Sequence, residues 1–325
     1  MDFERRYIEY KGLVDSYLDE FIQDAQPRSL YQPIRYVLHG GGKRIRSVLV
    51  LVACEAVGGS RDNALHASAA MEFLHNFTLV HDDIMDNATS RRGRTTVHNK
   101  WDHNVAILVG DELLALSFRA LLRTPSALVH EITKVFTEGV VEVCEGQAYD
   151  KEFETKARVR LKDYLLMIQK KTAKLVSVST ELGGLAGNGS EREILSLRRY
   201  GEHVGRAFQI QDDLLDITAD ERDFGKAIGS DLQEGKRTFL FLEALRKAKG
   251  EDKRLLLAVA KNSGVSRKKI KEFQRIYRET GAIESARTWV AHDLAEAKRE
   301  LDNLRKSTAT DMLHWFTDML LHRTY

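Results

Sequence analysis

Residues 70–86 read Ala-Met-Glu-Phe-Leu-His-Asn-Phe-Thr-Leu-Val-His-Asp-Asp-Ile-Met-Asp, an apolar stretch that ends in a cluster of aspartates. Its apolar side chains recur at three- and four-residue spacing over most of the circumference, which predicts a buried α-helix over residues 62–87. A second stretch of this kind closes with Gln-Asp-Asp-Leu-Leu-Asp at residues 211–216. The pattern Asp-Asp-x-x-Asp therefore occurs twice, each time in the C-terminal part of a long apolar helix.

The sequence around these two stretches also has a helical pattern. Periodic apolar spacing predicts helices over residues 43–57, 62–87, 101–123, 126–149, 158–186 and 191–219. We interpret Gly58-Gly59, Gly183-Gly184 and Gly187-Asn188-Gly189 as turns or caps between them. No proline follows Pro125, so long helices are uninterrupted. Because strand signals are scarce and no linker is visible, we expect an all-α fold, a single-domain bundle of long antiparallel helices over residues 1–325.

The composition excludes several classes of protein. The 325 residues include 50 basic and 48 acidic ones, a net charge of +2, which argues against a nucleic-acid binder. The sequence contains no run of about 18 apolar residues, the length that is needed to span a membrane. Cys54 and Cys144 are too few for a disulfide framework or a zinc site, and the charged start lacks the pattern of a signal peptide. We therefore expect a cytoplasmic protein.

The aspartate clusters indicate a divalent cation. Asp82 and Asp86 are i,i+4 neighbours on one helix face, as are Asp212 and Asp216. Like charges in this arrangement destabilise a helix by about 0.2–0.5 kcal/mol, and negative charge at a helix C-terminus adds a further cost. A bound cation offsets both, and oxygen ligands without cysteine or paired histidine suit Mg²⁺. One such cluster fits a solvated acidic helix end, whereas two matched clusters favour a magnesium site.

Basic residues accompany both clusters. The first cluster is followed by Arg91-Arg92-Gly93-Arg94, and the second by Phe224-Gly225-Lys226 and Glu234-Gly235-Lys236-Arg237-Thr238. Upstream, Gly40-Gly41-Gly42-Lys43-Arg44-Ile45-Arg46 predicts a glycine-rich turn that opens a helix, a common setting for phosphate binding. Lys170-Lys171-Thr172 on a middle helix is a further candidate. Each of these residues alone would be ordinary, but their pairing with the aspartates predicts a metal-assisted phosphate site.

In the order of these motifs, the chain resembles the trans-isoprenyl diphosphate synthases. The resemblance extends from about Gly40 to Thr238, and its landmarks are Gly-Gly-Lys-Arg-x-Arg from 41, Leu-His at 74–75, His-Asp-Asp-x-x-Asp from 81, Arg-Arg-Gly from 91, Gly-Asp at 110–111, Lys-Thr at 171–172, Phe-Gln-x-x-Asp-Asp-x-x-Asp from 208 and Gly-Lys…Asp…Glu-Gly-Lys from 225. It implies the isoprenoid synthase fold with helices around a central cavity. It also implies Mg²⁺ as the cofactor, isopentenyl diphosphate and allylic prenyl diphosphates as substrates, and a homodimer.

The resemblance further implies a role for each matching residue. The Mg²⁺ ligands would be Asp82, Asp86 and Asp212, with Asp83, Asp213 and Asp216 in support. The allylic diphosphate would be neutralised by Arg91, Lys171, Lys226 and Lys236, and isopentenyl diphosphate would be bound by Lys43, Arg46, His75 and Arg92. The reacting carbons would lie beside Thr172, Phe208 and Gln209, and Asp231 would belong to a closing loop. The catalytic residues implied in this way are Lys171, Thr172, Gln209 and Lys226.

The reaction of this family requires no nucleophilic side chain. Metal and cations stabilise the departing diphosphate, the isopentenyl double bond attacks the allylic cation, and a proton is lost to the diphosphate. Product length is expected to depend on Phe77, which lies about 7.5 Å deeper along the helix than Asp82 at 1.5 Å per residue, and on the small Thr78. In this family a single aromatic at the deeper position is typical of a twenty-carbon product. We therefore expect geranylgeranyl diphosphate.

Several alternatives stay open. Farnesyl diphosphate and longer polyprenyl diphosphates are the other possible products. A class I terpene cyclase would normally carry a different metal motif in place of the second cluster, a metal phosphohydrolase would use histidine ligands, and a non-catalytic interaction subunit would have lost the aspartates. Glu72 and His75 match the Glu-x-x-His of di-iron bundles, but no second copy exists. We expect His81 to be buried and hydrogen-bonded rather than a ligand.

Overall fold

The computed structural model describes residues 2–156, 158–218, 229–262 and 264–321. Its helices are α1 (Phe3–Phe21), α2 (Arg28–Leu38), α3 (Ile45–Ala56), α4 (Arg61–Met85), α5 (Val97–Lys100), α6 (His103–Leu121), α7 (Val129–Thr155), α8 (Leu161–Ile168), α9 (Lys174–Ala186), α10 (Glu191–Thr218), α11 (Ser230–Gln233), α12 (Phe239–Lys247), α13 (Gly250–Asn262), α14 (Ile270–Glu279), α15 (Ala282–Leu301) and α16 (Thr308–Leu321). A π-helical turn, Gln169–Ala173, joins α8 to α9, and a 3₁₀ turn, Arg267–Lys269, precedes α14. The prediction of an all-α fold is confirmed.

The strands of the described residues form one small hairpin. Strand β1 (Ser90–Arg91) pairs antiparallel with β2 (Arg94–Thr95), and Arg91 stands opposite Arg94. The two turn residues, Arg92 and Gly93, have φ angles of +51° and +72°. Positive φ at both central positions is the signature of a type I′ turn, whose twist matches that of the strands. The sequence predicted only a basic loop at this place.

The contacts between residues divide the chain into two compact units. The first unit comprises Met1–Val140, Val178–Arg198 and Asn303–Leu313, and the second comprises Val141–Ser177, Arg199–Asp302 and His314–Tyr325. The expectation of a single domain over residues 1–325 stays a prediction.

In the first unit, helix α4 packs against α3 and α6. Every residue of α3 from Ser47 to Cys54 is buried, as its continuous apolar run requires. Asp102 caps α6 by accepting a hydrogen bond from the N–H of Val105 at 2.8 Å. Gly183 and Gly184 lie inside α9, so their interpretation as a turn is wrong. A Cβ on Gly183 would lie 2.3 Å from the carbonyl oxygen of Val50, which shows that glycine here permits close helix packing.

In the second unit, α12 packs against α8, α13, α14 and α15. Its buried residues, Phe239–Ala244, are joined in the core by the buried aromatic side chains of Phe273 and Tyr277 in α14. Thr238 caps α12 through its hydroxyl, which accepts from Phe241 N at 3.4 Å. Among all described residues, no helix is both long and apolar enough to cross a membrane.

The predicted helices agree with the observed ones to within a few residues, except that α7 continues to Thr155, six residues past its predicted end at 149, and that one predicted helix is divided. The segment 158–186 was expected to form a single helix, but residues 169–173 wind as a π-turn between α8 and α9. Such turns occur often at functional sites because they displace one residue from the helical register.

Candidate active site

The first aspartate motif lies where helix α4 ends. Asp82 and Asp83 belong to its last turn, and Asp86 is the C-terminal cap, whose N–H donates to Asp82 O at 2.9 Å. Asp86 is exposed, Asp82 is half-buried and Asp83 is buried. The outer carboxylates of the motif therefore lie nearer to solvent than the middle one.

Arg91 of the hairpin holds the middle aspartate. Its Nε and Nη2 atoms each lie 2.7 Å from Asp83 Oδ1. Burial raises the pKa of Asp83, and the charge of Arg91 opposes that effect. The guanidinium therefore keeps a buried carboxylate close to the end of α4, while 38% of the Arg91 side chain stays exposed.

The basic run before α3 divides into inward and outward side chains. Arg44 is buried and donates to Asp15 Oδ1 at 2.8 Å and to Glu72 Oε1 at 2.6 Å. It adopts a left-handed conformation with φ of +53° at the N-cap of α3. Lys43 is exposed and Arg46 is half-buried. Arg44 thus fixes the turn, and the neighbouring Lys43 and Arg46 stay accessible on it.

Glu72 is engaged in hydrogen bonds on both carboxylate oxygens. Besides the bond from Arg44, it accepts from Ser47 Oγ at 2.7 Å and from Asn76 Nδ2 at 2.9 Å. These neutral and cationic donors satisfy the buried carboxylate and tie α4 to the start of α3.

His75 lies among arginine side chains. Burial, followed by the positive charges of Arg46, Arg92, Arg91 and Arg44, lowers the pKa of His75 well below its usual range. The imidazole is therefore neutral near pH 7. Its Nδ1 atom is buried and has no hydrogen-bond partner among the described residues. The structure thus brings together His75 and two of the three basic residues, Arg46 and Arg92, that the sequence placed at the isopentenyl diphosphate site.

Phe77 is held in place one helical turn before His81. The two rings meet edge to face with centroids 4.8 Å apart, and Phe77 is buried. His81 is a quarter exposed, which corrects the expectation of a buried residue, and its Nε2 lies 3.4 Å from Ile107 O. Thr78 donates its hydroxyl to His75 O at 2.8 Å. The larger of the two predicted floor residues is thus fixed by an aromatic contact.

The second aspartate motif lies in the last two turns of α10. Asp213 is buried and accepts from Tyr164 Oη at 2.6 Å, Phe239 N at 2.9 Å and Gln209 Nε2 at 3.1 Å. Burial, together with the charge of Asp231, raises the pKa of Asp213 to about 7. Asp212, the neighbouring residue, is half-buried. The middle aspartate thus connects α10 to α8 and to the start of α12.

Asp216 organises the loop beyond the motif. Its carboxylate accepts from Ser230 N at 3.1 Å, Ser230 Oγ at 2.7 Å and Asp231 N at 3.3 Å, all at the start of α11. Burial and the charge of Asp231 raise the pKa of Asp216 to about 6. Because its carboxylate accepts from the first N–H groups of another helix, Asp216 has a structural role that its position in the motif did not reveal.

The π-turn carries two of the predicted catalytic residues. Thr172 Oγ1 donates to Gln209 Oε1 at 3.0 Å, and Lys171 Nζ lies 2.5 Å from Asp150 Oδ2. Two glycines make room for the wider turn. A Cβ on Gly146 would lie 2.3 Å from Lys171 N, and one on Gly205 would lie 2.4 Å from Ala173 Cα. Phe208, half-buried, precedes Gln209 on α10.

The loop before α12 carries Lys236. Its Nζ lies 2.8 Å from Glu234 Oε2 and 3.5 Å from Asp231 Oδ1. Burial lowers the pKa of Lys236, but these two carboxylates outweigh it and the net effect is a raised pKa. Lys226, also predicted to neutralise the allylic diphosphate, lies outside the described residues.

Sequence reasoning missed the partners of these side chains. Asp150 on α7, which pairs with Lys171, is one acidic residue in an acidic segment and carries no local signal. Tyr164 lies 49 residues before Asp213, so only the fold reveals their bond. A signal did exist for the π-turn, because Gly146 and Gly205 interrupt long helices where glycine needs a packing reason.

The donor chemistry of the motifs fits a hard divalent cation. Among the described residues, no group of three His, Cys, Asp or Glu side chains could enclose a metal by itself. Mg²⁺ does not need such an enclosure, since it keeps waters and is commonly bound through one or two carboxylates plus substrate phosphates. The half-buried or exposed Asp82, Asp86 and Asp212 supply oxygen donors of this kind.

The comparison with protein families gives one model that covers most of the chain. The polyprenyl synthetase model matches residues 27–278. A short chain isoprenyl diphosphate synthase of Methanothermobacter thermautotrophicus is 39% identical, and the alignment covers 100% of this chain and 99% of the relative. A geranylgeranyl diphosphate synthase of Methanosarcina mazei is 35% identical, with 96% of this chain and 95% of the relative covered.

Solved structures agree with the sequence relatives. The crystal structure of a geranylgeranyl pyrophosphate synthetase from Pyrococcus horikoshii superposes with a TM-score of 0.94 at 37% sequence identity. The superposition covers 99% of this chain and 98% of that one. The helices described above thus follow those of a known structure along nearly the whole chain.

Proposed function

The chain belongs to the polyprenyl synthetase family and is a prenyltransferase, and from this premise we propose that it condenses isopentenyl diphosphate with allylic diphosphates to geranylgeranyl diphosphate. The observation that carries the proposal is the arrangement of each aspartate motif, in which buried aspartates hold the scaffold and the others lie nearer to solvent, where a cation can reach them. Relatives named for this product support the assignment.

The proposed metal ligands are Asp82, Asp86 and Asp212. Mg²⁺ bound by them would offset the negative charge of the departing diphosphate. Asp83, Asp213 and Asp216 support them indirectly, because each is buried and fixes Arg91, the start of α12 or the start of α11. The motifs therefore combine residues that bind with residues that orient.

The cations proposed for the allylic diphosphate are held in place by carboxylates. Arg91 is paired with Asp83, Lys171 with Asp150, and Lys236 with Glu234. An ammonium group has three N–H donors, so one carboxylate leaves donors for phosphate oxygens. Fixing a cation before the substrate binds reduces the entropy that must be lost in the transition state. Lys226 retains its proposed role from the family resemblance.

The site proposed for isopentenyl diphosphate uses Lys43, Arg46, His75 and Arg92. A neutral His75 can accept or donate a hydrogen bond without adding charge, and the guanidinium groups around it provide the attraction for an anion. Thr172, Phe208 and Gln209 are proposed to lie beside the reacting carbons. The new carbon–carbon bond forms as the isopentenyl double bond attacks the allylic cation, and the proton then passes to the released diphosphate.

The most direct test is an incubation of the purified protein with Mg²⁺, isopentenyl diphosphate and each of the dimethylallyl, geranyl and farnesyl diphosphates. We expect a twenty-carbon prenyl diphosphate from all three primers, identified by chromatography after dephosphorylation. Release of inorganic phosphate or of a cyclic hydrocarbon without elongation would instead indicate a phosphohydrolase or a terpene cyclase. Absence of all of these products would leave only a non-catalytic role.

The product length is proposed to depend on Phe77. Its ring is buried and fixed against His81, so it can stop a growing apolar chain. Phe77→Ala should lengthen the products beyond twenty carbons, and Thr78→Phe, one residue nearer to the motif, should shorten them. An unchanged product profile in both variants would contradict this role.

We also propose a homodimer. Helix α6 and its end expose Ile107, Leu108 and Leu122, with 44%, 58% and 63% of each residue accessible. Apolar side chains this exposed on one helix are typical of a protein interface. Leu108→Asp combined with Leu122→Asp should give a monomer by light scattering, whereas a dimer of unchanged mass would place the interface elsewhere.

Two free cysteines, Cys54 and Cys144, support the proposed cytoplasmic location.

A further inference from the structure

A wide groove lies in the second unit, and none of its lining residues belongs to the aspartate motif of that unit. It is formed by the segment that opens α8 together with α12 and α13, and it has a volume of about 850 Å³. Small-molecule sites commonly have volumes of roughly 300–1,000 Å³. None of the residues that line it has been assigned to metal, substrate or catalysis above.

The rim of the groove is strongly cationic. Its charged lining residues among those described are all basic: Arg158, Arg160, Lys162, Arg237, Arg246 and Lys253. Arg160 and Arg246 are compensated by Asp163 and Glu243, which lie just outside the groove. Arg158, Lys162 and Lys253 form no ion pair with any described residue, and Arg237 donates to the carbonyl oxygen of Lys156. The groove therefore has an excess of positive charge.

The floor of the groove is apolar. Phe241 and Leu242 of α12 are buried at its base, and Leu257 of α13 is 45% exposed at its edge. An apolar floor beneath uncompensated cations suits a ligand with an anionic head and a hydrocarbon chain. Inorganic anions would not use the floor, and a flat membrane surface would not fill a concave site of this volume.

We propose that this groove is a second binding site for a long-chain prenyl diphosphate of the product class, distinct from the catalytic site. The proposal rests on the proposed function only in the choice of ligand. The cations at Arg158, Lys162 and Lys253 bind the diphosphate, and Leu257 and Phe241 contact the isoprenoid chain. The matching of charge and apolar surface in a single concavity supports this ligand over a peptide or nucleic acid.

The test is equilibrium dialysis of the purified, Mg²⁺-loaded protein against radiolabelled geranylgeranyl diphosphate below its aggregation concentration. We expect two bound molecules per chain. Lys162→Glu with Lys253→Glu should leave one site and weaken the other by about tenfold or more, the usual range for lost charge-assisted contacts. Lys162→Gln with Lys253→Gln gives a milder version of the same change. Leu257→Asp should weaken the binding of geranylgeranyl diphosphate to the groove. The concentration of inorganic diphosphate needed to compete for the cations of the groove should stay unchanged.

A matched control is available on the same element. Arg254 neighbours Lys253 on α13 but does not line the groove, and Lys268 is exposed before α14. Arg254→Glu with Lys268→Glu changes the net charge equally and should keep both sites. Prenyl transfer is assayed in every variant, and we expect it to continue at the wild-type rate. A wild-type protein without prenyl transfer would contradict the proposed enzymatic function, independently of the result for the groove.

Three results would overturn the proposal. The first is a single bound molecule per chain in a wild-type protein that is active in prenyl transfer. The second is equal displacement by inorganic diphosphate at both sites, which would show an anion site that ignores the hydrocarbon chain. The third is loss of cosedimentation with anionic phospholipid vesicles in the Lys162→Glu and Lys253→Glu variant without loss of a dialysis site, which would assign the groove to a membrane surface.

Discussion

The two aspartate motifs have the same spacing, but different groups hold their middle residues. In the first motif Asp83 is paired with a cation, Arg91, at 2.7 Å. In the second, Asp213 is held by neutral donors, the Tyr164 hydroxyl at 2.6 Å and the Phe239 N–H at 2.9 Å. Burial raises the pKa of both carboxyl groups, and for Asp213 the nearby Asp231 raises it further, to about 7. Two motifs with the same sequence pattern thus stabilise their buried aspartates in two different ways.

The last aspartates of the motifs differ as well. Asp86 is exposed at the end of α4, whereas Asp216 is buried and caps α11. The first motif therefore offers two outer carboxylates to solvent, and the second offers only Asp212. This difference teaches that a motif repeated in sequence need not place the same number of carboxylates near solvent twice.

The largest expected effect comes from the outer aspartates of the first motif. Asp82→Ala and Asp86→Ala should each lower kcat by about 10²–10³-fold, as expected when one group that stabilises developing charge is lost. Their removal relieves a like-charge pair, so Tm should not fall. Steady-state kinetics and calorimetry measure both quantities. Asp62→Ala, at the exposed start of the same helix, is the matched control, and near-normal turnover of Asp82→Ala would remove the proposed ligand.

The middle aspartates should differ in their contribution to stability. Asp213→Ala leaves buried donors on Tyr164 and Phe239 unsatisfied, and at about 1–3 kcal/mol for each donor we expect about 2–6 kcal/mol of destabilisation. Asp83→Ala leaves Arg91, which can be rehydrated because it is partly exposed, so about 1 kcal/mol is expected. Urea denaturation of the two variants measures the difference. Equal losses would mean that the two motifs are held in the same way.

A smaller effect is expected for the cap of α11. Asp216→Ala removes the acceptor for the N–H groups of Ser230 and Asp231 and should cost about 0.5–2 kcal/mol, as the loss of a helix cap does. Asp216→Asn keeps one acceptor and should recover part of the loss. Unfolding curves that coincide with those of the wild type for both variants would contradict the capping role.

The smallest effect concerns a buried carboxylate outside both motifs, which serves as a reference for a group held by cations. Hydrogen bonds from Arg246, followed by those from Lys247, lower the pKa of Glu243 to about 2 from an ordinary value of 4.5. Its stabilising contribution is therefore present above pH 4.5 and is lost as the pH falls towards 2. In Glu243→Gln, the Tm should depend less on pH between 4.5 and 2 than it does in the wild type. An unchanged pH dependence of the Tm would refute the lowered pKa of Glu243.

The helical architecture could be predicted because it depends on local patterns. Apolar periodicity located α3, α4, α6 and α10 to within a few residues and α7 to within six, and both aspartate motifs lie at the helix ends where the sequence placed them. The hairpin at Arg92 and Gly93 escaped prediction because two-residue strands are too short to show alternation. Its turn chemistry, a residue followed by glycine, was visible in the sequence.

The arrangement within each motif could not be predicted, because it depends on contacts between distant residues. Nothing in the run Lys43-Arg44-Ile45-Arg46 indicates that the second residue is the buried one, since its partners Asp15 and Glu72 are 29 and 28 residues away. The π-turn at 169–173 likewise depends on the close approach of Gly146 and Gly205. Local propensity favours a continuous helix there, and tertiary packing overrides it.

The central claim is that neighbouring aspartates of one motif have different roles, one as ligand and one as scaffold. Asp212→Asn and Asp213→Asn, which change the same functional group at adjacent positions, test it most directly when kcat and Tm are measured for both. We predict that Asp212→Asn keeps the wild-type Tm and loses at least about 10²-fold in kcat, whereas Asp213→Asn loses several degrees in Tm. A destabilised Asp212→Asn together with a fully stable, inactive Asp213→Asn would contradict the account.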